Sequence, residues 1–152
     1  MKKSFLCSLG LLGMSLALAS NAALALTPGQ KLTQSEIAEW GPLAEYKIGS
    51  SRVSVIPSQH SGNQDTLLLN AQGVVGSSRN EVAVSEAPAD VQAVIQQTQP
   101  RPVSIQHFAP TGITVAKYAD FGQAVDALRA LKTALPGAKV SLPVQFSKQV
   151  PY

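Results

Sequence analysis

The sequence predicts an α+β protein built as a two-layer sandwich, an antiparallel sheet with two helices on one face. Three observations predict it. From Glu81 onward, segments alternating apolar and polar residues are interleaved with two stretches whose apolar residues recur at helical spacing. Their order is strand, helix, strand, strand, helix, strand. The last strand contains Pro143, which has no N–H to give a ladder and therefore belongs at a sheet edge.

The chain has 152 residues, 45% hydrophobic and 14% charged, which suits one compact domain with an extension, or two small ones. Met1-Lys2-Lys3, the apolar run Phe5 to Leu18 and the small residues around Ala22 and Ala25 have the three regions of a secretory signal peptide, assigned here to residues 1–25. Cleavage is expected after Ala22 or Ala25. The alternative, an uncleaved membrane anchor, is disfavoured by the Ser and Gly that interrupt the run. Cys7 is the only cysteine and leaves with this segment, so the exported protein is expected to rely on its core without a disulfide. Of the 12 Lys and Arg, Lys2 and Lys3 leave too, so ten bases face nine acids. No basic cluster remains, which argues against nucleic acid or an anionic membrane as partner.

Residues 26–80 read as an N-terminal helix and hairpin extension. Thr33-Gln-Ser-Glu36 is a capping-box spacing ahead of Ile37 and Trp40, and Gly41-Pro42 stops the helix. Trp40 either anchors this segment on the main body or offers a contact to a partner. Arg52 to Ile56 alternates, Pro57 ends it, Ser61-Gly62-Asn63 turns, and Thr66 to Leu69 returns. The stretch from Gln72 to Ser78 is rich in glycine and serine, and places a boundary near Ser77.

The main domain spans 81–148. Glu81 to Ser85 is its first strand, with Val82 and Val84 on one side, and Pro88 fits the first turn of the helix carrying Val91, Val94, Ile95 and Thr98. That helix ends before Pro100. Val103, Ile105 and His107 alternate with Ser104, Gln106 and Phe108; Ala109-Pro110-Thr111-Gly112 turns; Ile113, Val115 and Lys117 then oppose Thr114, Ala116 and Tyr118. Asp120 caps the second helix, whose stripe is Phe121, Ala124, Val125, Leu128, Leu131 and Leu135, and Pro136-Gly137 ends it. In the final strand Val140, Leu142, Val144 and Phe146 alternate with Lys139, Ser141, Pro143, Gln145 and Ser147.

Right-handed crossovers for both helices give the split βαβ, or ferredoxin-like, βαββαβ arrangement with strand order 4-1-3-2, which puts the fourth strand at an edge. Val82, Val84, Val103, Ile105, Ile113, Val115, Val140, Leu142 and Val144 are then expected to face the helices. The other face is expected to stay open, carrying Ala83, Ser104, Gln106, Phe108, Thr114, Ala116, Tyr118, Ser141, Pro143 and Gln145. Such a face either meets water or docks flat on another protein; its shortage of Lys and Glu favours docking. Residues 149–152 are expected to leave the domain as a free extended tail, with Pro151 biasing Val150 away from helix.

Catalytic chemistry is not expected. His60 and His107 lack a second ligand at metal-binding spacing, and no nucleophile elbow, phosphate loop or dinucleotide glycine pattern occurs. The expectation is a non-enzyme without metal or cofactor, His107 being a structural or rim residue.

An exported sandwich of this topology, with the alternating strand Lys139 to Phe146 and the tail Ser147-Lys148-Gln149-Val150-Pro151-Tyr152, resembles the propeptides of subtilisin-type serine proteases. Its length and layout are similar to the separately encoded external chaperone of a subtilisin/kexin-type protease. The resemblance implies that the open sheet face, with Ser104, Gln106, Phe108, Thr114, Ala116, Tyr118, Ser141, Pro143 and Gln145, packs on the protease in a one-to-one complex. It also implies that Lys148, Gln149, Val150, Pro151 and Tyr152 occupy the substrate cleft, with Tyr152 at the primary specificity pocket. Chaperone and transient inhibitor, in the periplasm or secreted with its partner, is then the expected role. The alternative is a periplasmic adaptor that offers the same sheet face to another protein.

Overall fold

The computed structural model describes residues 25–57 and 65–147, which form a mixed α+β structure of two four-stranded antiparallel sheets and three helices. Helix α1 (Gln34–Ala38) starts where the sequence spacing puts it. The Thr33 hydroxyl accepts from the Glu36 N–H at 3.3 Å, and the Glu36 carboxylate accepts from the Thr33 N–H at 2.7 Å, a complete capping box. The bond from the Thr33 backbone, and then that from its hydroxyl, hold the Glu36 carboxyl below its ordinary pKa.

The first sheet is larger than the predicted hairpin. It is a meander of β1 (Glu45–Ile48), β2 (Ser51–Val55), β3 (Thr66–Asn70) and β4 (Val75–Ser78), in that spatial order. β2 and β3 are the predicted pair. β1 escapes the sequence reading, although Tyr46 and Ile48 alternate ahead of the two-residue turn Gly49-Ser50, where Ile48 pairs with Ser51. β4 runs through Ser77, in the stretch whose glycine and serines read as too small for a sheet element. Its glycine and serines are buried along the whole strand, so the small residues reflect crowding and not a linker.

Each face of this sheet meets a different core. Leu67, Leu69 and Val75 pack with Leu32 and Ile56, and the half-buried Ile37, Trp40 and Leu43 cover them, so Trp40 anchors its own segment. On the other face Val53 and Leu68 belong to the main core, with Tyr46, Ile48 and Val55 packed against it. Tyr46 meets Phe121 edge to face, ring centroids 5.5 Å apart.

The second sheet comprises β5 (Glu81–Ser85), β6 (Ser104–Phe108), β7 (Ile113–Lys117) and β8 (Lys139–Ser141), in the spatial order β6-β7-β5-β8 with every neighbour antiparallel. β8 therefore lies at an edge. Helix α2 (Val91–Gln97) buries Val91 and Ile95 and ends at Thr98, ahead of Pro100. Pro88 precedes that helix instead of opening it, its carbonyl accepting from the Val91 N–H at 3.1 Å. Helix α3 (Phe121–Ala134) is capped by Asp120, whose carboxylate accepts from the Gln123 N–H at 2.8 Å, and it buries the predicted stripe together with Ala127. Both helices share one core with Val82, Val84 and Val140, so they lie on the same side of the sheet.

Strand β7 is turned over relative to the sequence reading. Thr114, Ala116 and Tyr118, expected on the open face, are at most 2% exposed in the core, while Ile113 and Val115 point the other way. Register is the reason. Phe108 pairs with Ile113 across the four-residue turn and Val82 pairs with Ala116, and directly opposed residues share a face. Small side chains at 114 and 116 fit beneath the helices, and Tyr118 fills the end of the layer. Val103, also expected in the core, precedes β6 and is 69% exposed. The final strand is shorter than predicted: β8 ends at Ser141 because Pro143, two positions on, has no N–H for the β5 ladder.

Candidate protein-interaction surface

The side of the second sheet away from the helices carries Ala83, Ser104, Gln106, Phe108, Ile113, Val115 and Ser141, a grouping fixed by the register. None of them belongs to either buried core. Phe108, at the outer strand, is 48% exposed. The centre of this face is thus more apolar than the sequence reading anticipates, because β7 contributes Ile113 and Val115 in place of Thr114 and Ala116. Its margin is also more charged. Glu81 stands opposite Lys117 at one end, and Lys139 at the other reaches Glu86 with its Nζ 2.6 Å from the carboxylate. An apolar centre with a polar rim is the anatomy of a protein-binding patch. An exposed ion pair such as Lys139 with Glu86 adds little stability and serves better to select a partner.

At the rim of the sheet, His107 Nδ1 lies 2.9 Å from the Thr114 hydroxyl. That contact satisfies the fully buried Thr114 hydroxyl. Among the described residues no three metal-ligating side chains cluster, and no helix is long and apolar enough to cross a membrane.

Beyond β8 the chain does not drift into solvent. Leu142 is buried, and Val144 and Phe146 pack against the main core, so the predicted alternation persists after the ladder has ended. Gln145 then pairs with Ser77 of β4: the Ser77 N–H donates to the Gln145 carbonyl at 2.8 Å, and the Gln145 N–H donates to the Ser77 carbonyl at 2.9 Å. The Ser78 hydroxyl approaches the Pro143 carbonyl at 3.4 Å. A cleft of about 520 Å³ opens beside this junction, lined by Asp65, Ser78, Arg79, Glu81 and Val144.

Of the sheet-face residues predicted from sequence, Ser104, Gln106, Phe108 and Ser141 are exposed on the open face. Thr114, Ala116 and Tyr118 are core residues and leave the candidate surface. Pro143 and Gln145 are exposed but lie past the end of β8, at the junction with the first sheet. Lys148, Gln149, Val150, Pro151 and Tyr152 lie outside the described residues, as does His60. The sequence reading misses Ile113 and Val115 as surface residues, yet a signal was available: a four-residue hairpin loop puts its flanking residues, Phe108 and Ile113, on one face. In comparisons with known proteins, no family model, curated protein or solved structure matches this chain.

Proposed function

We propose that this protein is an exported chaperone and transient inhibitor of a subtilisin-type serine protease, acting in trans. In this reading residues 81–148 are a ferredoxin-like, propeptide-like sandwich, and residues 149–152 are the segment that enters the substrate cleft. Ala83, Phe108, Ile113 and Val115 dock on the protease, with Ser104, Gln106 and Ser141 around them. Lys148, Gln149, Val150, Pro151 and Tyr152 lie in the cleft as an added strand, held by main-chain hydrogen bonds. The protein supplies no covalent chemistry of its own. It binds the native protease in preference to the unfolded chain, which shifts the folding equilibrium by mass action and blocks the cleft until release.

The observation that carries this reading is the route of the chain after β8. It leaves an edge strand, crosses to the edge of the first sheet and reaches Ser147 at the surface, while the second sheet keeps a separate face with the half-exposed Phe108 that neither core uses. A short peptide loses about 1 to 2 kcal/mol of backbone entropy per residue on ordering, so a few residues alone bind weakly. Attached to a docked platform, the same residues bind at high effective concentration.

Removal of Gln149 to Tyr152 tests the reading. The truncated protein is expected to keep its unfolding midpoint and to lose at least about tenfold in affinity for the subtilisin-type protease of the same cell, inactivated at its catalytic serine. Unchanged affinity, measured by calorimetry, overturns it. The half-exposed Phe108 equally suits a second reading, a periplasmic adaptor that offers the sheet face to another protein. Recovery of a different partner with the full-length protein, lost on changing Phe108→Ser, would favour that reading.

A further inference from the structure

The outer edge of β4 has two occupants. The Val75 N–H donates to the Gln30 carbonyl and the Val75 carbonyl accepts from the Gly29 N–H, both at 2.8 Å, so one half is taken by the N-terminal segment. The other half, at Ser77, is taken by Gln145. Between these two pairings lies Gly76, and the ring of Phe146 covers it. A Cβ at position 76 would stand 2.6 Å from Phe146 Cδ1 and Cε1 and 3.0 Å from the Gln145 carbonyl oxygen. No side chain larger than hydrogen fits there unless the Phe146 ring moves and the Gln145 carbonyl gives way slightly.

We infer that the first sheet is a clamp that sets where and in which direction the chain leaves the fold, with Gly76 and Phe146 as its positioning pair. The segment after β8 has no sheet of its own: the β5 ladder stops at Ser141, and Pro143 prevents its continuation. Without β4 it would be joined to the body only by the side chains of Leu142, Val144 and Phe146. With β4, two backbone hydrogen bonds fix Gln145, and the ring of Phe146 on Gly76 fixes the angle one residue later. A segment ordered up to residue 146 before any partner arrives has already lost that conformational entropy, so binding does not have to supply it. Residues 26–80 thereby acquire a role in recognition as well as stability. The consequence for protease affinity rests on the proposed function; the clamp itself does not.

Two measurements separate the claims. Hydrogen exchange on the free protein tests the clamp: Gly76→Ala is expected to speed exchange of the Gln145 amide at least about tenfold relative to the Val125 amide in the core of α3. Phe146→Ala, which introduces no clash, is expected to do the same, and the double variant to fall short of the sum of the two, because both changes disturb the same ring contact. Unchanged Gln145 exchange in both single variants overturns the clamp. Affinity for the inactivated protease tests the positioning role: Phe146→Ala is expected to weaken binding at least about tenfold, equivalent to about 1.4 kcal/mol, in the full chain. In the protein lacking Gln149 to Tyr152 the same change is expected to have no effect on binding, whereas a merely destabilising change would weaken both. Equal losses in both backgrounds overturn the positioning role while leaving the cleft reading intact. Truncation without effect overturns the cleft reading instead, and the exchange data then decide the clamp alone.

Discussion

Tyr118 fills the end of the core layer with a phenol that has no hydrogen-bond partner among the described residues, and the carbonyl oxygen of the Asn80 side chain is in the same position. Burial pushes the Tyr118 phenol up to about 12, because the phenolate would lose its hydration. A folded-state value above the unfolded 10 means that the folded protein binds the proton more tightly. This contribution is therefore complete below about pH 10 and is lost as pH rises through about 12. Urea unfolding of the wild type and of Tyr118→Phe at pH 9 and pH 11 checks the sign: the wild type is expected to lose more stability between the two. At neutral pH the change is expected to be neutral or to stabilise by up to about 1 kcal/mol, since it removes an unsatisfied buried hydroxyl. A loss above 2 kcal/mol would mean that the phenol has a partner.

Among the elements, α3 owes its position to two independent devices, a cap and a stripe. Asp120 satisfies the Gln123 N–H, and Phe121, Val125, Leu128 and Leu131 cover the sheet, with Phe121 meeting Tyr46 of β1 edge to face. Asp120→Ala is expected to cost about 1 kcal/mol, read as a lowered midpoint with an unchanged denaturant slope. A change in slope would show instead that the cap shapes the native state beyond the first turn. Both devices are legible in the sequence, because a capping spacing and a helical period are local. Strand β7 is the opposite case. Its residues alternate cleanly, but alternation leaves open which alternate set is buried, and ranking by size puts Ile113 and Val115 inside. The turn that pairs Phe108 with Ile113 fixes the register, and a slip of one residue exchanges every side chain between the faces.

At the scale of the whole molecule the two sheets are coupled through one core. Val53 and Leu68 of the first sheet pack in the same cluster as the helices and Val82, Val84 and Val140 of the second. Leu68→Ala is expected to cost about 2 to 5 kcal/mol through the cavity it leaves. Trp40 fluorescence, which reports on the smaller core, and far-ultraviolet circular dichroism are expected to shift together, because a shared core makes unfolding cooperative. Separate transitions would show instead that residues 26–80 and the second sheet are independent units. The sequence by itself determined the order of elements from Glu81 onward, both helix stripes, the two helix N-caps and the edge position that Pro143 requires, since each depends on neighbours within a few residues. Only the tertiary structure decided that Thr114, Ala116 and Tyr118 are core, that a glycine and serine stretch is a buried strand, and that this strand holds Gln145 and Phe146. Those outcomes turn on register and on contacts between residues some seventy positions apart, where a glycine is read as a linker until the ring lying on it is known.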